Sequence, residues 1–358
     1  VVKETGMALL FVSLMTFLCV LVLIPLVRKA ALIFGFVDVP DARKQHEKPI
    51  PPIGGIVIFP VFLVAAAYSG LDLGESWAIY AGVLILLALG SLDDYWHVQP
   101  WPKFIVQLCV SFAVVLSDQA RLYQLGNLFG LGDVGLDFMS IPFSVAAVML
   151  LINAMNLIDG LDGLAAGYGF VVLFWLLVAA SAMGDTGHMA LIAPMMAGLS
   201  GFLVFNMRNP LRRKASVFLG DAGSMALGLV LAWLCIDMAQ EKGQVLAPIS
   251  VAWILAIPII DTCAQFYRRV REGRHPFAPD RGHFHHHLIH AGISVRNTTL
   301  FILALAFIAG LIGFAGHRFG IPQLFLTLGW MALLLVHMRL SERPEFYINV
   351  FKRLHRAP

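Results

Sequence analysis

The 358 residues are 59% hydrophobic and 13% charged, with a formal net charge of +3 and a mean hydropathy of +0.81. Ordinary soluble domains carry about 25% charged residues, so this composition excludes one and indicates an all-α polytopic membrane protein. The four cysteines, Cys19, Cys109, Cys235 and Cys263, each stand alone in an apolar run, without metal-ligand spacing, and read as small core residues.

Stretches able to cross roughly 30 Å of hydrocarbon fall at 7–27, 53–69, 77–92, 103–117, 138–153, 164–183, 188–206, 222–238, 246–266, 298–315 and 321–338, about eleven spans in all. The first is followed by Arg28 and Lys29 and lacks an A-x-A cleavage signal, which favours a retained span over a signal peptide. Of the 25 lysines and arginines, all but Lys3, Arg121, Lys242 and Arg318 lie in the first, seventh and ninth loops or the tail, or, as Lys103, at the edge of the third loop. By the positive-inside rule the odd loops and the C-terminus face the cytoplasm and the N-terminus faces outward. The expected organisation is one helical catalytic domain over 1–338 and a basic tail over 339–358 that lies on the anionic leaflet. Cytoplasmic loops 28–52, 93–102, 154–163, 207–221 and 267–297 would form the site.

The first of these loops contains D-V-P-D-A-R-K-Q-H, from which Asp38, Arg43 and His46 are candidates. It ends on Gly54 and Gly55, which permit close backbone approach. Asp93 and Asp94 close the third span as adjacent carboxylates, and a divalent metal or a lysine such as Lys103 would compensate their repulsion. An interfacial stop signal with Trp96 and Trp101 as anchors is the plainer reading.

The fifth loop reads N-A-M-N-L-I-D-G-L-D-G-L-A-A from Asn153. Asn153, Asn156, Asp159 and Asp162 recur every three residues, so on a helix they fall along one slowly turning stripe. Ionisable groups beside membrane segments are costly and mark function by default. Small-residue packing explains Gly160, Gly163 and Gly167 but not the acids.

The seventh loop, R-N-P-L-R-R-K, leads into V-F-L-G-D-A-G-S. Asp221 there is either a helix cap or a metal ligand, and Asp221 with Asn156 offers the hard oxygen donors Mg2+ takes. The ninth loop holds R-R-V-R-E-G-R-H-P-F-A-P-D-R-G-H-F-H-H-H. Clustered Arg and His with few acids make an anion site, expected to be structured over the rest. Paired acids, hard donors and an anion clamp at a membrane edge are what phosphoryl transfer to or from a lipid needs.

These motifs, in order D-x-P-x-x-R-K-x-H, L-D-D, N-A-x-N-x-x-D-G-x-D-G-L, V-F-x-G-D-A-G-S and P-F-x-P-D-R-x-H-x-H-H, resemble the polyprenyl-phosphate N-acetylhexosamine-1-phosphate transferases. The last looks like the WecA/TagO branch, which uses UDP-N-acetylglucosamine (UDP-GlcNAc), more than the MraY branch, which uses UDP-MurNAc-pentapeptide. The resemblance implies transfer of GlcNAc-1-phosphate to undecaprenyl phosphate with release of UMP, at the start of cell-surface polysaccharide synthesis, in the bacterial inner membrane. It implies Mg2+, with Mn2+ as a substitute, held by Asn156 and Asp221. Asp93, Asp94 and Asp159 would be catalytic, Asp93 and Asp94 near the acceptor phosphate and Asp162 towards the uracil. Asp38, Arg43, His46, Lys103, Asn153, Arg281, His283, His285 and His286 would bind substrate. No nucleic-acid partner is implied, and a homodimer is admitted.

Among rivals, an ion-coupled transporter predicts mid-span charges and inverted repeats. A CDP-alcohol phosphotransferase shares the Asp-Gly pattern but lacks the Arg/His loop. Within the family, UDP-GalNAc, UDP-FucNAc or UDP-QuiNAc are alternative donors.

Overall fold

A computed structural model describes residues 2–38, 49–210, 212–240, 245–275 and 282–356; Arg43, His46 and Arg281 lie outside the described residues. In chain order the helices are α1 (Val2–Phe34), α2 (Gly54–Tyr68), α3 (Trp77–Trp96), α4 (Pro100–Leu116), α5 (Ser140–Ile158), α6 (Leu164–Met183) and α7 (Thr186–Asn206). They continue as α8 (Gly220–Gln240), α9 (Pro248–Ile254), α10 (Ala256–Arg271), α11 (Phe284–His290), α12 (Val295–Arg318), α13 (Gln323–Ser341) and α14 (Pro344–Arg356). Among the described residues there is no strand, only isolated bridges.

Each expected span has a helix at its position. Among the described residues, eight helices are long and apolar enough to cross a membrane, and α2 and α4 are apolar but shorter. The stretch expected as one span at 246–266 is instead α9 and α10, bent by 80° between them. Pro258 supplies the cause: it has no N–H for the carbonyl of Ile254, and its ring crowds that carbonyl. The helices also outrun the expected spans. α3 carries Asp93 and Asp94 on its last turn, and α5 runs past Asn156 to Ile158. Among its described residues the ninth loop holds α11, and the basic tail holds α14, whose Phe351 packs against Phe284 and Phe301.

α8 is the centre of the bundle, buried along nearly all of its length, which is why its sequence is apolar on every face. α1 and α13 are mostly exposed and present Leu10, Phe11, Val22, Leu328 and Leu335 outward, where lipid replaces a protein neighbour. The same environment corrects the reading of the cysteines. Cys235 is buried, whereas Cys19 and Cys109 are exposed on α1 and α4, since a small thiol is as well placed against lipid as in a core.

α8 is crossed at its N-terminal end by two helices that come unusually close. A Cβ on Gly90 of α3 would lie 2.1 Å from the Ala222 nitrogen, and one on Gly55 of α2 would lie 2.3 Å from the Gly223 Cα. The Gly55 approach is completed by backbone pairing, Gly54 N–H to the Phe218 carbonyl and Gly55 N–H to the Leu219 carbonyl, each at 2.9 Å. With Gly90 against Ala222, the next turn of α3 puts its two acids at the start of α8. Gly90→Ala is therefore expected to force backbones apart, costing about 1–3 kcal/mol as overpacking does, and to lower the melting temperature in detergent. Gly6→Ala, where nothing lies within 4 Å, should melt as the wild type.

Candidate active site

The start of α8 gathers charge from three helices. The Lys103 ammonium on α4 donates to Asp93 Oδ2 on α3 and, at 3.0 Å, to Asp221 Oδ2 on α8. Asp93 Oδ1 accepts from the Val98 amide at 2.7 Å, so both its oxygens are engaged. Asp94 accepts the Asp221 amide at 3.0 Å and the Ala222 amide at 3.5 Å, and so caps α8 from a neighbouring helix. Asp221 itself is not the cap. Its Oδ1 faces the Asn156 carboxamide of α5 at 2.8 Å, and that carboxamide also reaches Ser224 Oγ at 2.9 Å.

The expected four-residue stripe divides. Asn153 and Asn156 lie on α5, Asp159 caps its C-terminus, and Asp162 sits in the turn before α6. Asn153 is not in the cavity wall; it donates to Gln107 Oε1 on α4 at 3.0 Å and to the Met149 carbonyl at 2.8 Å, tying the two helices together. Asp162 Oδ2 accepts Arg208 Nε at 2.6 Å and the Ala215 amide at 3.3 Å. Asn206 pins this turn to the seventh loop, accepting from Gly163 N–H at 2.7 Å and donating to the Val217 carbonyl at 2.9 Å. Asp159 has no hydrogen-bond or ion-pair partner among the described residues. Burial, then the charges of Asp221, Asp94 and Asp162, hold its carboxyl well above the usual range.

In the ninth loop, Asp261 on α10 accepts His283 Nδ1 at 2.8 Å and the Phe284 amide at 3.0 Å, and contacts His337 Nε2 of α13 at 3.4 Å. That carboxylate thus starts α11 and fixes its direction. His283 and His285 are buried behind the wall, and burial followed by the charge of His286 pushes the His285 imidazole down to about 3. A neutral ring at every physiological pH supports the fifth loop, where a Cβ on Gly160 would lie 2.5 Å from His285 Nε2. His286 faces the cavity.

That cavity, about 500 Å3 in volume, is walled by all five expected loops: Asp38 from the first, Asp93 and Asp94 from the third, Asp159 and Asp162 from the fifth, Asp221 from the seventh and His286 from the ninth. Arg208, Lys214, His97 and His290 also line it and were not singled out from the sequence. Arg208 and Lys214 were masked by their resemblance to ordinary topogenic charges. Asp261 did carry a signal, as a lone acid inside an apolar stretch.

The donor chemistry fits Mg2+. Asp93, Asp94, Asp159 and Asp221 crowd one end of the cavity with Lys103 the cation bonded among them. A half-turn of the Asn156 carboxamide would present oxygen beside Asp221 without a change in shape. Among the described residues no three His, Cys, Asp or Glu side chains form a ligand set by themselves.

A family model described as "Glycosyl transferase family 4" matches residues 76–239. The chain is 32% identical to an undecaprenyl-phosphate alpha-N-acetylglucosaminyl 1-phosphate transferase of Yersinia pestis, over 91% of this chain and 90% of that protein. The protein of the same name from Escherichia coli O157:H7 is 32% identical over 92% and 90%. A probable undecaprenyl-phosphate N-acetylglucosaminyl 1-phosphate transferase of Bacillus subtilis is 34% identical over 83% and 81%.

A raised carboxyl pKa in the fold means that ionising Asp159 costs stability as pH rises through its unfolded value near 4, and that the cost is complete above the folded value. With divalent ions chelated, Asp159→Asn should therefore melt at a higher temperature than the wild type at pH 8, with the difference vanishing below about pH 4. Equal melting temperatures at pH 8 would contradict the assignment.

Proposed function

Because this chain belongs to glycosyl transferase family 4, with undecaprenyl-phosphate N-acetylglucosaminyl 1-phosphate transferases as relatives over most of its length, we propose that it transfers GlcNAc-1-phosphate from UDP-GlcNAc to undecaprenyl phosphate. The products are undecaprenyl-pyrophosphoryl-GlcNAc and UMP. The observation that carries the reading is the meeting of acids and cations from five separate loops in one cavity at the end of an apolar bundle. Those are the odd loops, which hold most of the lysine and arginine, so the positive-inside rule supports a cytoplasmic site in the bacterial inner membrane. The product would prime a cell-surface polysaccharide.

Asn156 and Asp221 would hold Mg2+, with Asp93 and Asp94 nearby. When bound, the ion would neutralise and orient the donor's diphosphate. A phosphate monoester has its second pKa near 6, so the acceptor is largely dianionic at neutral pH and needs no strong base. One of its oxygens attacks the donor's β-phosphorus as the bond from that phosphorus to the oxygen bridging to the α-phosphate breaks, and UMP leaves with the electron pair. Asp93, with one oxygen on Val98 and the other on Lys103, is suited to orienting the lipid phosphate rather than to forming an aspartyl-phosphate. Lys103, shared by Asp93 and Asp221, keeps those carboxylates together without closing the cavity. His286 and Arg281 would address phosphate and sugar from the ninth loop.

Membranes carrying the protein, given radiolabelled UDP-GlcNAc and undecaprenyl phosphate, should form a lipid-linked product only with Mg2+ or Mn2+ present. Asp221→Ala should form none while remaining folded. A product from UDP-GalNAc but not from UDP-GlcNAc would refute the donor, and wild-type turnover by Asp221→Ala would remove that residue from the metal site.

A further inference from the structure

Asp162 and Arg208 form an ion pair in the cavity wall. Asp162 is anchored apart from it, its backbone carbonyl accepting Thr299 Oγ1 at 3.1 Å, and Asn206 staples the same turn to the seventh loop. The side chains are 11% and 26% exposed, and both residues border the cavity. Only Nε of Arg208 is spent on the carboxylate, at 2.6 Å, and neither terminal nitrogen has a hydrogen-bond partner among the described residues.

A guanidinium gripped at Nε keeps its two terminal N–H groups parallel, the arrangement that meets one phosphate bidentately. Fixing it in the fold also removes the ordering cost that a mobile arginine would incur on binding. The cation on the acidic side of the cavity, Lys103, is already shared by Asp93 and Asp221. Among the described residues, the arginine and lysine that line the cavity are Arg208 and, in the same loop, Lys214, so a diphosphate bound there has those two positive charges in the wall.

We propose that Arg208 is a substrate-binding residue for the donor's diphosphate, and that Asp162, through Oδ2, is a positioning residue that aims Arg208. The inference rests on the proposed reaction for the identity of the phosphate, and a lipid phosphate would offer the same chemistry, so the test separates the two sources.

The full-length chain in nanodiscs is titrated with UDP and, separately, with uridine, as wild type, Arg208→Gln, Arg208→Lys and Asp162→Asn; KM is then measured for UDP-GlcNAc and for undecaprenyl phosphate. Loss of a charged hydrogen-bonding pair should weaken UDP binding roughly 10- to 100-fold in Arg208→Gln, with uridine binding and the lipid KM unchanged. Arg208→Lys should keep part of the affinity, and Asp162→Asn should weaken UDP binding. Wild-type UDP affinity in Arg208→Gln, equal loss for UDP and uridine, or a rise in the lipid KM alone would overturn the inference. If the wild type binds no UDP, the proposed reaction itself fails, and that result is distinct from the others.

Discussion

The lysine that joins Asp93 to Asp221 is the contact on which the site depends. Four carboxylates stand around the first turn of α8, and carboxylates taken out of water repel and lose hydration unless something positive is supplied. The helix end supplies part of it through the amides that Asp94 accepts, and Lys103 supplies a full charge. Neither could act if α3 and α2 stood a side chain further from α8. The glycines at 55 and 90 are thus electrostatic residues by consequence: their missing Cβ atoms bring the charges within reach.

Around this floor the other walls are set by buried polar contacts of quite different kinds. Asn206 fixes the fifth loop to the seventh by two hydrogen bonds, and Asp261 starts α11 and holds His283 so that His286 faces inward. The histidine run is divided accordingly: one ring meets the cavity, and the rings beside it hold the loop. In a protein whose helices rest against lipid, such contacts carry the specificity that apolar packing alone does not provide.

The span positions were legible because a membrane helix must satisfy its backbone internally and needs a long apolar run. The bend at residue 255 was foreshadowed by Pro258, although hydropathy averaged it away. Asp93, Asp94, Asp159 and Asp221 were legible because acids are conspicuous beside apolar runs. The division of labour among them was not, since it depends on which side chain meets a helix end and which meets Lys103. Spacing suggested one stripe from Asn153 to Asp162, but the helix ends at Ile158 and only its last asparagine reaches Asp221. Arg208 was hidden for the opposite reason: one more arginine in a basic loop looks topogenic until Asp162 is found holding it.

The most direct test of this account is the stability of the Lys103→Met, Asp221→Asn double variant compared with each single variant, measured as melting temperature in detergent without divalent ions. If Lys103 is there to hold Asp93 and Asp221 together, its loss leaves carboxylates that repel, and removing the Asp221 charge relieves them. The double variant should then melt higher than Lys103→Met alone. Losses that simply add would contradict the claim that this lysine organises the site.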